Sequence, residues 1–343
     1  MQFRTQVPLH KNEIEIDYHS KIVLLGSCFA ENMGEKFEYY KFQSTVNPFG
    51  IIFNPVSLAK IIEKSVQKNY FTEADIFFHN DLWHCFEVHS ELSNPNKEIF
   101  LKTINELIDS TNKQLNDSTH IIITLGTSWV YRNMNSKEIV ANCHKVPQKE
   151  FKKELLTIDK IEESLATIIS LINTVNPNCK FIFTVSPVRH VKDGFVENTL
   201  SKSHLIAAIH SVLNQKFSTS LELTTSNQKQ KNNKLSTITH NPSYNTYFPA
   251  YEIMMDELRD YRFYAEDMLH PNQTAINYIW DCFCSTSVAT ASSKMMKEIE
   301  TIQKGLAHRP FNPETESHKK FLTHLKSKIL KIEQDFPQIS FGQ

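Results

Sequence analysis

Ser27 and Cys28 stand side by side in "KIVLLGSCFAENMGEKF" (residues 21–37), at the corner where an apolar run stops and a helical pattern begins. Either side chain can act as a nucleophile, but a serine hydroxyl needs a general base and a thiol needs a lowered pKa. A base with its own orienting acid stands far along the chain in "AEDMLHPN", where Asp267 and His270 are three residues apart. On a tight turn that spacing lets the carboxylate fix the imidazole tautomer and stabilise the imidazolium, as in Ser-His-Asp sites. Taken singly, Ser27 also fits a helix N-cap, and Asp267 with His270 fits a capping pair ahead of Pro271. Together, a serine after the first strand and a DxxH near the end of the chain favour nucleophilic catalysis. Neighbouring residues on a turn point in different directions, so only one of Ser27 and Cys28 can meet His270. Cys28 is expected to pack beneath the corner as a small apolar group.

The elements that must position these groups are legible as three continuous apolar runs, "KIVLL" (21–25), "THIIITL" (119–125) and "KFIFTV" (180–185). Unbroken runs of this length fit parallel strands covered on both faces. Helical patterns lie at about 29–40, 55–67, 97–114, 157–175, 198–215, 273–305 and 316–334. Strand alternating with helix predicts a three-layer α/β/α sandwich on a mainly parallel sheet, with added C-terminal helices. Residues 75–92 alternate with aromatic character and predict a hairpin. Residues 218–243, rich in Ser, Thr, Asn, Gln and Lys, predict an exposed excursion with the composition of a disordered segment. The expected organisation is a main domain over 1–306 that contains this insert, followed by a helical extension over 307–343.

Bulk properties narrow the function class. A net charge of −1 over 343 residues gives no general attraction for nucleic acid or an anionic membrane. No stretch approaches the roughly 20 apolar residues of a membrane span, and the first twenty residues contain no apolar secretion core. The six cysteines are scattered without a CxxC pair, so free thiols and a cytoplasmic location are expected. His84 and His89 fall on opposite faces of a regular strand, and Cys143-His144 are adjacent rather than at ligand spacing, so neither pair suggests a metal site. No cofactor is expected.

The order of Ser27 at the first strand and Asp267-x-x-His270 near the end resembles the SGNH, or GDSL-like, hydrolase superfamily. "GSCFAENMG" resembles the signature of the GSCFA family, a bacterial branch of that superfamily. The stretches "NPFGIIFNP" (47–55), "TLGTSWVY" (124–131), "ANCHKVP" (141–147), "FTVSPVRHVKDGFVEN" (183–198) and "YFPAYEIMMDELRDYRFYAEDMLHPN" (247–272) are similar to further motifs of the family. They extend the resemblance from about residue 20 to about residue 285.

The resemblance implies Ser27 as nucleophile, His270 as base and Asp267 as the acid that orients it. It implies the N–H groups of Ser27 and Gly50 as oxyanion donors. The superfamily's third block carries Gly-x-Asn, whose asparagine is a further donor, but this chain has Gly126-Thr127-Ser128 there. Either Thr127, Ser128 or the nearby Asn142 replaces it, or the enzyme is slow or handles a different transition state, since one preorganised donor is worth roughly a hundredfold in rate. Arg189 follows the third apolar run and could bind a substrate carboxylate or phosphate, or pair with Asp193 or Glu197 within its own loop. Trp83 could line a substrate pocket. The expected activity is that of a serine esterase or acyltransferase acting on an O-acyl group of a small polar or carbohydrate-like molecule. Two alternatives remain open: a non-catalytic binding protein on the same scaffold, and an interaction protein that assembles through its C-terminal helices. The oligomeric state is left open.

Overall fold

The computed structural model describes residues 5–13, 15–214 and 245–342, so the polar stretch 218–243 lies outside the described residues. The three apolar runs form the middle of one sheet, as β1 (Lys21–Gly26), β5 (His120–Leu125) and β9 (Lys180–Val185). β2 (Gln43–Val46) lies beyond β1, and β10 (Thr246–Phe248) lies beyond β9. Every pairing in this sheet is parallel.

Alternate residues of each central strand enter different cores, as the two-residue strand period requires. Val23, Leu25, Ile121, Ile123, Phe181 and Phe183 face one core. That core is covered by α2 (Pro55–Gln67), α3 (Lys97–Asp117), α4 (Ile158–Val175) and α5 (Phe195–Asn214). Ile22, Leu24, Ile122 and Ile182 face the other. It is covered by α1 (Cys28–Tyr39), the one-turn α6 (Ala250–Glu252), α7 (Gln273–Ser287), α8 (Ser292–Ala307) and α9 (Glu316–Asp335). The chain is therefore a three-layer α/β/α sandwich whose C-terminal helices close one face. Phe37 of α1 anchors that face, edge-on to Trp280 at 4.9 Å and to Phe283 at 5.8 Å.

Two smaller sheets decorate the body. β3 (Ile76–His79) and β4 (Leu82–Cys85) form the expected hairpin. β6 (Trp129–Asn133), β7 (Ile139–Val140) and β8 (Phe151–Leu155) form an antiparallel sheet that the apolar pattern did not suggest. The helix expected over 273–305 is two helices. Between α7 and α8, Val288 is extended and pairs with Ile16 of the N-terminal segment. The N–H groups of Ile16 and Ala289 bond across that pairing at 2.7 and 2.8 Å, so tertiary pairing overrides local helix propensity. Among the described residues no helix is long and apolar enough to cross a membrane. All six cysteines are free.

Across the main sheet the strands run β2-β1-β5-β9-β10. Chain direction across the sheet reverses between β1 and β5, and ligands of such folds bind outside the carboxyl ends at that reversal. Gly26 ends β1 at this place with φ +134°, and a Cβ there would lie 2.0 Å from the Thr124 carbonyl oxygen. Only glycine tolerates both the conformation and the approach. Gly26→Ala is expected to destabilise the protein by roughly 3 kcal/mol or more in urea unfolding. An unchanged midpoint would mean that β5 yields at no cost.

Candidate active site

Ser27 follows Gly26 and caps α1: its Oγ accepts the N–H of Phe29 at 3.2 Å. Its own N–H donates to the Thr124 carbonyl at 3.0 Å, which locks the corner onto β5. Asn47, at the end of β2, accepts the Gly26 N–H through Oδ1 at 2.8 Å. Ser27 is only 2 % exposed, held at the reversal point by the backbones of Phe29 and Thr124. Cys28 begins α1 beside it. Burial, followed by the Glu31 carboxylate, raises its pKa, and Lys202 offsets this only in part. The thiol is therefore kept protonated, against the thiolate that a cysteine nucleophile needs.

Asp267 and His270 lie on the loop that leads into α7. Asp267 Oδ1 accepts the N–H groups of Leu269 (2.9 Å) and His270 (3.0 Å), and Oδ2 meets His270 Nδ1 at 2.5 Å. The loop is closed by the Ala265 N–H on the His270 carbonyl at 2.8 Å and by a bridge between Tyr264 and Pro271. The backbone N–H of His270, then that of Leu269, then the imidazole hold the Asp267 carboxyl down at about 2. An ionised Asp267 on Nδ1 leaves His270 Nε2 as the acceptor, the tautomer a general base requires. Both side chains are 46 % exposed. Ser27 Oγ and His270 are not hydrogen-bonded to each other: the hydroxyl meets the Phe29 N–H and the imidazole meets Asp267.

Arg189 ties the loop to the sheet edge, and His190 and Lys202 lie along that edge. The Arg189 N–H donates to the Leu269 carbonyl at 3.4 Å, tying the chain after β9 to the His270 loop. The His190 N–H donates to Asn198 Oδ1 at 2.8 Å. The His190 ring is pushed down to about 3 by burial, then by the charges of Lys202 and His270. Lys202 is 1 % exposed, and its Nζ donates to the carbonyls of Gly126 (2.6 Å) and Ser186 (2.8 Å), just past the ends of β5 and β9. Its ammonium also lies over the Tyr251 ring at 5.6 Å. Burial pushes Lys202 down to about 7.

Several residues expected at the site have other work. Gly50 donates its N–H to the Asn47 carbonyl at 2.7 Å. That N–H and the Ser27 N–H are both already engaged, so neither is free for an oxyanion here. Thr127 Oγ1 bonds Ser201 Oγ at 2.8 Å, and Ser128 bonds Ser201 through its N–H at 2.8 Å and its hydroxyl. These contacts anchor α5 rather than presenting donors to a ligand. Asn142 caps its own turn through the His144 N–H at 2.8 Å. Trp83 packs against Phe78 and under Lys97, within the hairpin. Arg189 makes no ion pair among the described residues; Asp193 pairs with Lys153 instead. The Arg189 guanidinium stacks over Phe195 at 5.3 Å. Its charge lowers the pKa of Tyr251 and of Tyr264 against the larger rise that burial causes. Among the described residues no three His, Cys, Asp or Glu side chains are grouped to hold a metal. A cleft of about 630 Å³ runs along α1 and β2 between Glu31, Glu35, Glu38 and Glu91. It reaches the corner only through Glu31 and Asn47, and its acidic walls set it apart from the Asp267–His270 loop.

Lys202 and Asn198 were not expected at the site. The usable signal was their place in α5, on the stripe shared by Ser201, Leu205, Ala208, Ile209 and Val212. A lysine on an otherwise buried stripe marks an enclosed charge.

These features define a class: a doubly wound α/β/α protein that delivers a capped serine to its topological reversal, with an Asp–His pair on a loop tied to the same sheet edge. The family is then plain. The GSCFA family model matches residues 21–283, so the chain belongs to that family. The model of the GSCFA domain protein C-terminal domain matches residues 299–343, beginning inside α8. The fold is consistent with placement of this family among the SGNH/GDSL-like proteins. Among curated proteins none matches the chain.

The enclosed ammonium has a measurable consequence. Its pKa of about 7 lies below the ordinary 10.5, so between those values the unfolded chain binds more protons. The Lys202 contribution to stability therefore rises with pH across that window. In urea unfolding, the stability of wild-type minus that of Lys202→Met is expected to increase from pH 7 upwards. A flat difference would mean that burial does not penalise the charge.

Proposed function

We propose that this protein is a cytoplasmic serine esterase or O-acyltransferase of SGNH type, acting on an O-acyl group of a small polar or carbohydrate-like molecule. The observation that carries the reading is the Asp267–His270 pair, at 2.5 Å with Nδ1 committed to the carboxylate. Ser27 Oγ attacks the acyl carbonyl while His270 Nε2 takes its proton. The tetrahedral adduct collapses as that proton passes to the leaving alkoxide, which leaves an acyl-Ser27 ester. Water resolves the ester in a hydrolase; an acceptor hydroxyl does so in a transferase, with His270 again taking the proton. The protonated state favoured for Cys28 supports Ser27 as the nucleophile.

A second reading has its own support. The engaged N–H groups of Ser27 and Gly50, with the absent third-block asparagine, suit a scaffold that binds a ligand without turning it over. The unpaired Arg189 would then hold an anionic group.

Incubation with a small activated ester and a serine-directed phosphonate, followed by peptide mass spectrometry, separates the two. The first reading expects an adduct on Ser27 and a fall in turnover of roughly 10⁴-fold or more in Ser27→Ala and His270→Ala, with Cys28→Ala active. An adduct on Cys28 would reassign the nucleophile. No adduct and no turnover would favour the binding protein, and an unaffected His270→Ala would end the mechanism above.

A further inference from the structure

The third-block asparagine is absent, and its sequence neighbours Thr127 and Ser128 are committed to Ser201. What stands at Gly126 instead is an imidazole. A Cβ built on Gly126 would lie 3.4 Å from His190 Nε2, so this nitrogen is in contact distance of the block's own glycine. The His190 ring also lies 5.9 Å from that of Phe53, whose carbonyl accepts the Gly126 N–H at 2.9 Å. His190 Nε2 is buried and has no hydrogen-bond partner among the described residues. A buried polar atom left in this way keeps its full desolvation cost.

The backbone around the ring is held from several sides. Asn198 fixes its backbone, Lys202 holds the carbonyls of Gly126 and Ser186, and the Arg189 N–H binds the His270 loop. We infer that His190 takes the place of the absent asparagine as oxyanion donor, an assignment that rests on the acyl-transfer reading above. As the Ser27 Oγ–carbon bond forms, the carbonyl π pair moves onto oxygen and the serine proton goes to His270 Nε2. The His190 Nε2–H hydrogen-bonds the developing oxyanion and keeps its own proton throughout. The negative charge selects the tautomer with hydrogen on Nε2. The environment agrees: burial first, and then the charge of Lys202, keep His190 neutral, which disqualifies it as a base and leaves it a donor. A neutral imidazole gives up no proton to the intermediate, and a ring already packed against Gly126 and Phe53 needs little reorganisation when charge appears.

The test uses the full-length protein with p-nitrophenyl acetate and with the phosphonate, whose phosphoryl oxygen imitates the oxyanion. His190→Leu removes the donor and is expected to lower kcat about 100-fold or more with KM nearly unchanged. Labelling of Ser27 should slow in parallel. His190→Gln can place an amide N–H near the position of Nε2 and is expected to stay within about tenfold of the wild-type. His190→Asn is polar but too short to reach; it should fall with the leucine variant and decides the matter if that variant does not fold. Wild-type activity in His190→Leu or His190→Asn would overturn the assignment alone. So would a His190→Gln variant that melts normally yet is as impaired as His190→Leu. A wild-type protein that neither turns over nor labels at Ser27 would overturn the acyl-transfer reading and this assignment with it.

Discussion

The approach of two backbones at the end of β1 governs the rest of this molecule. Gly26 lies against the Thr124 carbonyl, closer than any side chain allows. That contact lets the Ser27 N–H bond the same carbonyl at 3.0 Å and turns the chain directly into α1. Strand, corner and helix are thereby fixed by main-chain atoms, and the serine hydroxyl inherits its position from them. Backbone-set geometry suits a reacting atom, because no rotamer beyond that of the serine itself remains to be ordered.

Around that corner the environment separates the titratable groups. Asp267 is half exposed, yet two backbone N–H groups and an imidazole keep it ionised. Lys202 is enclosed and meets two carbonyls rather than a carboxylate. His190 is held neutral by burial and by the charge of Lys202. Cys28, beside the serine, is held as a thiol by burial and Glu31. Neighbouring groups driven to different protonation states by desolvation, charge and hydrogen bonding are characteristic of functional sites. Lys202 connects them: it binds past the ends of β5 and β9 while its charge acts on both Cys28 and His190.

The central strands and most helices were legible because burial on both faces writes continuous apolar runs, and helix faces write a 3.6-residue stripe. What escaped lies where that writing stops. β2 and β10 are short edge strands; β2 carries the half-buried QSTV and no continuous run. The β6–β8 sheet includes Phe151–Leu155 (FKKEL), whose exposure follows its charges. The division of α7 from α8 depends on Ile16, more than 250 residues away, which no local pattern can report. The pairing of Asp267 with His270 was legible because a three-residue spacing on a turn brings carboxylate and imidazole together. The roles of Thr127, Ser128 and Gly50 were not, because a motif specifies residue types without saying which hydrogen bonds are already made.

That difference matters most in α5. At its start, the buried stripe carries Asn198, Ser201 and Lys202; further on it carries Leu205, Ala208, Ile209 and Val212. The apolar half packs under the sheet in the ordinary way. The polar half reaches the carboxyl edge and holds the His190 N–H, Thr127, Ser128 and the carbonyls of Gly126 and Ser186. Burying three polar side chains is unfavourable unless their hydrogen bonds are made, and here they are made to the segments that follow β5 and β9, save at Asn198 Nδ2, which has no partner among the described residues. A helix otherwise used for core packing thus becomes the brace of the sheet edge. With Thr127 and Ser128 drawn into that brace, the space next to Gly126 is left to the imidazole of His190. The departure from the third block and the buried polar stripe of α5 are then two sides of one arrangement, in which the side chains that hold the edge and the side chain that faces a ligand come from different segments.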